Sequence, residues 1–538
     1  MSIAVNENVE NKVIAPNQNE LLAKQVIDAV MAKGVTEFCI CPGSRNSPFL
    51  DMIIENEKLT KHFWFEERSA AFFALGRTRE SNVPVAVIVT SGTAVGELMP
   101  AAMEGFYSQT PIILITADRP RRFRGKGAPQ SAEQVGIFGV YTPYSQDIEA
   151  QEICSLDAWD CKTPAHLNIC FEEPQTALRK KNSDFTELST AQLHLSKPPH
   201  TPTLDQFLEQ SKCPMVIVSA IADEAKEAVA QFILHLNAPV FLESTSGLRE
   251  DVRLRHLRIT RTEDLWHYSA QSGYPIDGIL RIGGMPTIRL WRDLEDKPHQ
   301  ILVCSISDRP FSGLSWTGVT CVPLKEFFQQ NAAAKRYSSD LSHGWRSDDH
   351  HYQHHLHELF AEEPRAEATL VHHLSNRIPS NSMVFLGNSL PIREWDLAAI
   401  DKDKHLQVRA SRGINGIDGQ ISTFLGLTQK NRHNWAILGD LTALYDLAGP
   451  WILSQMDDRH IAIVIINNSG GQIFSRMFNR KECLNPHQLS FEPFAKLWGL
   501  NYERWEQIPR KIESCQRHLI EIIPDNEASA RFWKRLNG

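Results

Sequence analysis

The 538-residue sequence predicts an α/β protein made of three tandem doubly wound domains with mainly parallel sheets. Three observations carry that prediction. Short runs rich in Val and Ile, such as AVIVT at 86–90 and IAIVII at 461–466, alternate with longer amphipathic stretches. Strands that are apolar throughout are buried on both faces, as in parallel sheets flanked by helices. Polar stretches at 180–203 and 332–367 interrupt the alternation and divide the chain into 1–185, 204–335 and 365–538. Finally, loops of unusual composition (PGSR, EER, TSGT, ADRP, GNS, SRG, GDL and NNSGG) follow the strands, at the edge where open α/β sheets collect ligands.

Taken in order, EFCICPG (37–43) reads as a strand entering a loop, followed by a helix through SPFLDMIIENE. HFWFE (62–66) is the next strand and RSAAFFALGRTRE its helix. VPVAVIVTSG (83–92) and PIILITADRP (111–120) repeat the pattern around TAVGELMPAAMEGFYSQ, and HLNICFEEP (166–174) closes the unit. The lysine- and proline-bearing stretch 180–203 is a linker. MVIVSA, APVFLES, DGILRIGG and QILVCSIS mark the central unit. In the second junction, His350/His354 and His351/His355 have the i,i+4 spacing of metal ligands on a helix, although a solvated linker helix is the expected structure. The third unit shows SMVFLGNS, HLQVRASRGINGIDG, NWAILGD and HIAIVIINNSGG as successive strand-to-loop transitions.

Composition narrows the function classes. A formal net charge of −8 argues against nucleic-acid or anionic-membrane surfaces, which need a basic excess. No apolar run approaches the roughly 20 residues of a membrane span. The N-terminus, MSIAVNENVENKVIAPNQNE, has neither the basic start nor the apolar stretch of a signal peptide, and is expected to be a polar extension. Ten cysteines lie scattered without CxxC pairs, the usage of a reducing compartment and so of a cytoplasmic protein.

Most chemistry is concentrated in ILGDLTALYDL (437–447) and IINNSGGQIF (465–474). Asp440 ends one strand; after 26 intervening residues Asn467 and Asn468 end the next, with Gly470 and Gly471 beyond. A carboxylate, an amide oxygen and a backbone carbonyl form a hard oxygen set for an octahedral cation such as magnesium. Magnesium keeps water and binds phosphates, so a diphosphate is the expected second ligand, approached through the glycines and by N–H groups at helix starts. No GxGxxG follows a strand, which removes the main support for a nicotinamide cofactor. Glu66 and Glu67, between HFWF and RSAA, have a simple explanation as acidic residues at a helix N-terminus.

The GD and NN pair resembles the signature of the thiamine diphosphate-dependent decarboxylases and carboligases. That resemblance implies the fold of those enzymes, thiamine diphosphate with Mg2+ (or Mn2+), and Asp440, Asn468 and the Gly470 carbonyl as metal ligands. It gives Glu67 a catalytic role, hydrogen-bonded to a ring nitrogen of the cofactor's aminopyrimidine, and Glu66 becomes its neighbour. Leu441, Thr442, Gly471, Gln472 and Ser389 join the cofactor site, Thr93 approaches the reacting centre, and Ile417 props the cofactor with Ile473 and Phe474 as an apolar wall. On a helix beginning at Glu67, Ala70, Ala71 and Ala74 share its face and permit close approach of another element. In this superfamily the pyrimidine-binding domain of one subunit faces the diphosphate-binding domain of another. A homodimer, or a dimer of dimers, is therefore expected.

Within the superfamily, CPGSRNSP, FEERSA, PVAVIVTSGTAV, ILITADRP, GNSLPIREWD, SRGINGIDG, GDLTALYDL and NNSGGQIFS resemble the MenD family of menaquinone biosynthesis. The likeness is close in the first and third domains and loose in the second. It implies decarboxylation of 2-oxoglutarate and addition of the succinyl-type carbanion to isochorismate. Both substrates are dicarboxylates, for which arginine forks are natural partners. Ser44, Arg45, Arg119, Gln130, Arg289, Arg393 and Arg412 are the corresponding substrate candidates, with Ser389. Two positions depart from the pattern: Pro129 stands before Gln130 where the family commonly has asparagine, and Leu290 follows Arg289 where a second basic residue is expected.

Two other functions fit less of the sequence. An acetolactate-synthase-type carboligase would use a smaller oxoacid and would not need this set of arginines. A non-catalytic cofactor-binding paralogue would not need to keep Glu67, Asp440 and Asn468 together.

Overall fold

The computed structural model describes residues 18–172, 201–297, 300–332, 335–475, 484–512 and 516–537. Residues 1–17 of the expected N-terminal extension and most of the 180–203 linker lie outside them, while Gln18, Asn19 and Glu20 of that extension begin the helix Gln18–Ala32. The described residues form three wholly parallel sheets. The first contains, in chain order, Glu37–Ile40, Thr60–Phe63, Val85–Val89, Ile112–Asp118, Tyr144–Glu149 and Ala165–Cys170. Across the sheet their order is second, first, third, fourth, sixth, fifth.

The third sheet repeats that order with Met383–Leu386, Gln407–Arg409, Asn434–Gly439, Ile461–Ile466, Asn501–Trp505 and Arg517–Ile522. The central sheet has Pro214–Val218, Val240–Leu242, Gly278–Ile282, Leu302–Ser307 and Thr320–Cys321 in the order second, first, third, fourth, fifth. In every sheet the order reverses between the first and third strands, which opens a crevice at their carboxyl ends. In the third sheet that crevice lies between the loop after Leu386 and the loop after Gly439.

The outer units share a core. Helix Glu67–Ser81 packs on helix Gln420–Leu427, and Phe72, Phe73, Ala74, Ile421, Phe424 and Leu425 belong to one buried cluster. Ala70, Ala71 and Ala74 are fully buried, and the closest approach falls just beyond them at Gly76 and Gly426.

Two expectations need correction. The strand read as HFWFE stops at Phe63, because Glu66 turns the chain as the N-cap of the next helix. The second junction is a helix as expected, the 24-residue Ser339–Glu362 with His350, His351 and His354 exposed, but one of its faces is buried as a strut. Its buried Trp345 lies beside Tyr274 of the central unit, while Phe360 stacks on Phe532 of the C-terminal helix. Asp349 accepts the Thr260 and Arg261 backbone N–H groups at 3.0 Å. The strut's His354 and His355 both face Glu358, and no metal-binding cluster of His, Cys, Asp and Glu occurs among the described residues. No described helix is long and apolar enough to cross a membrane.

Candidate active site

The site candidates gather into two groups, one at the carboxyl edge of each outer sheet. In the first group, buried Asn46 fixes the PGSR loop: its Oδ1 accepts the Gly43 N–H at 2.8 Å and its Nδ2 donates to the Cys41 carbonyl at 2.9 Å. Ser44 and Arg45 stand at the turn so formed. A Cβ on Gly43 would lie 2.6 Å from Thr90, so this loop rests against the start of TSGT. Buried Gln134 holds TSGT from behind, accepting the Gly92 N–H at 3.0 Å and donating to Asn168 at 2.8 Å. Gly92 has φ +85°, and a Cβ there would meet the Gln130 backbone at 3.3 Å. Thr93 and Gln130 are thereby brought together. Arg119 Nε donates to the Pro129 carbonyl at 3.1 Å, so the position that departs from the family pattern contributes its backbone oxygen.

Glu66 does what its position at a helix start suggests. Its two oxygens accept the backbone N–H groups of Arg68 at 3.2 Å and Ser69 at 2.8 Å, so orphan helix donors are satisfied. Glu67 is the first helical residue. Burial raises its pKa, and the nearby Glu66 and Glu97 charges push the same way. The helix start is moored to the third unit: Arg68 donates to the Tyr445 carbonyl at 3.1 Å and Ser69 Oγ to Asp446 at 3.2 Å.

In the second group, Asp440 begins a short helix and is 2% exposed. Its Oδ1 accepts the Leu441 N–H at 2.6 Å and its Oδ2 accepts the Gly470 N–H at 2.8 Å. His487 Nε2 lies 3.2 Å from the same Oδ2. Burial raises the Asp440 pKa, opposed by these donors. Gly470 has φ +133°, and a Cβ there would meet the Leu484 carbonyl at 2.4 Å; only glycine fits this turn. Asn467 is a structural anchor, its Nδ2 donating to Glu521 at 2.6 Å and to the Leu489 carbonyl at 2.8 Å. Asn468 is different: its Nδ2 donates to Glu367 at 2.8 Å, while its buried Oδ1 has no hydrogen-bond partner among the described residues. A buried amide oxygen left over beside a buried carboxylate fits an oxygen-seeking cation. Thr442 is buried, Leu441, Gly471, Gln472 and Ile473 are half-buried, and Phe474 is exposed.

The arginines of this group are tied to the loop Gly387–Ser389. Asn388 Oδ1 accepts Arg412 Nη1 at 2.9 Å, and its Nδ2 donates to the Ser411 and Gly416 carbonyls at 2.9 and 2.7 Å. One side chain thus fastens GNS to SRGINGIDG, where Ile417 is half-buried. Arg393 Nη1 donates to the Ser389 carbonyl at 2.6 Å. Burial lowers the pKa of both arginines, while the carboxylates of Glu243 and Asp396 oppose the shift. Arg289 belongs to the central unit, where it pairs with Asp293 at 3.5 Å and lines a cavity of about 220 Å3 with Thr262, Asp264 and Trp266. Arg292, one turn further on, is the neighbour whose charge reaches Arg393. Asn388, Glu367, Arg292 and His487 are not among the site residues expected from the sequence. Asn388 at least lay inside a loop already singled out.

Relatives decide the family. Residues 21–137 match the family described as "Thiamine pyrophosphate enzyme, N-terminal TPP binding domain". The 2-succinyl-5-enolpyruvyl-6-hydroxy-3-cyclohexene-1-carboxylate synthase of Bdellovibrio bacteriovorus is 40% identical over 96% of this chain and 98% of its own length. The chain belongs to the 2-succinyl-5-enolpyruvyl-6-hydroxy-3-cyclohexene-1-carboxylate synthase family. The synthase of Akkermansia muciniphila, 35% identical over 97% of this chain and 99% of its own, is a second such relative. The fold has a wider distribution than these synthases. A Rhodococcus jostii thiamine diphosphate-dependent 4-hydroxybenzoylformate decarboxylase superposes with a TM-score of 0.63 at 14% identity, covering 94% of this chain and 99% of that one.

Proposed function

We propose that the chain is a thiamine diphosphate-dependent transferase that decarboxylates 2-oxoglutarate and joins the succinyl unit to isochorismate, serving menaquinone biosynthesis. One observation carries this reading beyond family membership. The sheet edge that bears the Asp440 and Asn468 oxygens also bears Arg412, a buried guanidinium held by Asn388. A cation-and-diphosphate site with an arginine built in beside it suits an acidic substrate.

Asp440, Asn468 and the Gly470 carbonyl would hold Mg2+ or Mn2+, and Leu441, Thr442, Gly471 and Gln472 would surround the diphosphate. Ile417, Ile473 and Phe474 would give the organic part an apolar wall. When bound, thiamine diphosphate supplies the electron sink for decarboxylation. Glu67, kept protonated to higher pH by its surroundings, would hold a proton at the aminopyrimidine ring nitrogen. Ser44, Arg45, Arg119, Gln130, Ser389, Arg393 and Arg412 would bind substrate carboxylates, with Thr93 close to the reacting carbon. Arg289 would serve the same anions from the central unit.

A homodimer would complete the site by setting Glu67 of one copy against the Asp440 loop of its partner. The exposed aromatics Phe65 and Trp451, in edge contact at 5.0 Å, and exposed Tyr445 and Phe474 support an assembly over this face.

The test is an assay of purified protein with thiamine diphosphate, Mg2+ and 2-oxoglutarate, with and without isochorismate. Carbon dioxide release coupled to isochorismate consumption is the expected result. Turnover of pyruvate instead, or no turnover at all, would overturn the assignment.

A further inference from the structure

We infer that Glu367 is a positioning residue for the metal site: by accepting from the Asn468 amide it fixes which end of that amide is left for the cation. The inference rests on the metal-and-diphosphate reading above. An asparagine amide has nearly equal shape at its oxygen and nitrogen ends, so its orientation is dictated by its partners. Asn468 Nδ2 donates to Glu367 Oε2 at 2.8 Å. The reverse orientation would press Oδ1 against a carboxyl oxygen and leave the amide hydrogens buried without an acceptor, a cost of about 1–3 kcal/mol.

Both residues are held so that little else can vary. Glu367 opens the helix Glu367–Arg377, and its backbone N–H donates to Ser529 Oγ at 3.0 Å. The Asn468 carbonyl receives Gln472 Nε2 at 3.2 Å and Asn526 Nδ2 at 2.9 Å. With both backbones pinned, the amide torsion is the remaining freedom, and Glu367 removes it. The outcome is a buried Oδ1 with no hydrogen-bond partner among the described residues. Such an atom is costly in an empty fold and useful as a ligand.

The experiment titrates Mg2+ calorimetrically into full-length protein with thiamine diphosphate, alongside thermal unfolding of the metal-free protein. Glu367→Gln presents a donor as readily as an acceptor, so the Asn468 amide loses its fixed orientation. Its Mg2+ affinity should fall on the order of 10- to 100-fold, as for other residues that orient metal ligands, with metal-free unfolding little changed. Glu367→Asp keeps an acceptor and should lose less.

The decisive variant is the double Glu367→Gln/Asn468→Asp. An aspartate offers oxygen at both ends, one for the glutamine amide and one for the cation, so Mg2+ affinity should return most of the way. A merely structural Glu367 would not show rescue beyond what the added charge of Asn468→Asp gives by itself. Unchanged affinity in Glu367→Gln, or a loss that the double variant leaves in place, would overturn the inference. Metal-independent retention of thiamine diphosphate by the unaltered protein would instead overturn the reading on which it rests.

Discussion

Gly76 and Gly426 stand back to back where the helices Glu67–Ser81 and Gln420–Leu427 cross. A Cβ on Gly76 would lie 2.9 Å from the Gly426 Cα and 2.3 Å from the Thr423 carbonyl oxygen. One helix begins at Glu67 and the other follows the loop of Ile417, so this crossing fixes the first unit's candidates relative to the third unit's within one chain.

Gly76→Ala is therefore expected to destabilise the protein. Alanine gains about 1 kcal/mol in helix propensity, but overpacking costs roughly 1–3 kcal/mol. The obstacle is backbone on both counts, so no side chain can swing aside and the clash wins. Thermal unfolding should show a lower midpoint than the unaltered protein.

Asn388→Ala should act on substrate binding more than on turnover. It removes the acceptor that holds Arg412 and two donors that hold the SRGINGIDG loop. A hydrogen bond to a charged group contributes about 1.5–3 kcal/mol, so KM for 2-oxoglutarate or isochorismate should rise roughly tenfold or more, with a smaller change in kcat. Steady-state kinetics with each substrate varied separately check this.

Asp446 gives the fold a pH dependence of known sign. Burial pushes its carboxyl up to about 6, despite hydrogen bonds from Ser422 and Ser69 that favour the charged form. Unfolded, it titrates near 3.9. The folded protein binds this proton more tightly, so the contribution is fully present below about pH 4 and is lost as pH rises through about 6. Asp446→Asn has no such proton to lose. Its stability relative to the unaltered protein should improve by up to roughly 3 kcal/mol between pH 4 and pH 7, measured by denaturant unfolding across that range.

The parts of this molecule that were legible in the sequence are those whose signal is local. Uniformly apolar strands such as Val85–Val89 and Ile461–Ile466 are buried throughout, as their composition requires. Asp440 and Asn468 were visible because both end strands and sit among glycines. Tyr144–Glu149 and Asn501–Trp505 pass unnoticed because each pairs on one side only and keeps polar residues exposed. Glu66 shortened a strand through a cap geometry that composition does not reveal. Glu367 lies 101 residues from the asparagine it orients and Asn388 lies 24 from Arg412. Such pairings exist only once the third sheet has formed.

Asp440→Ala should abolish metal-dependent retention of thiamine diphosphate while leaving the sheet intact. The carboxylate is replaced by a methyl group at a buried strand end, and Gly470 loses the acceptor that shapes its turn. Calorimetric titration with and without Mg2+ checks this; unchanged affinity would remove Asp440 from the ligand set.

The central claim is that Glu67 of one copy serves a cofactor anchored by Asp440 of another, and mixing two inactive variants tests it most directly. Glu67→Gln should bind cofactor with metal but lose most turnover, and Asp440→Ala should lose the cofactor. After denaturation and joint refolding at equal amounts, half of the dimers are mixed, and each has one of its two sites intact. The account predicts recovery of about a quarter of the unaltered activity. A mixture as inactive as its parents, with mixed dimers demonstrated, would contradict it.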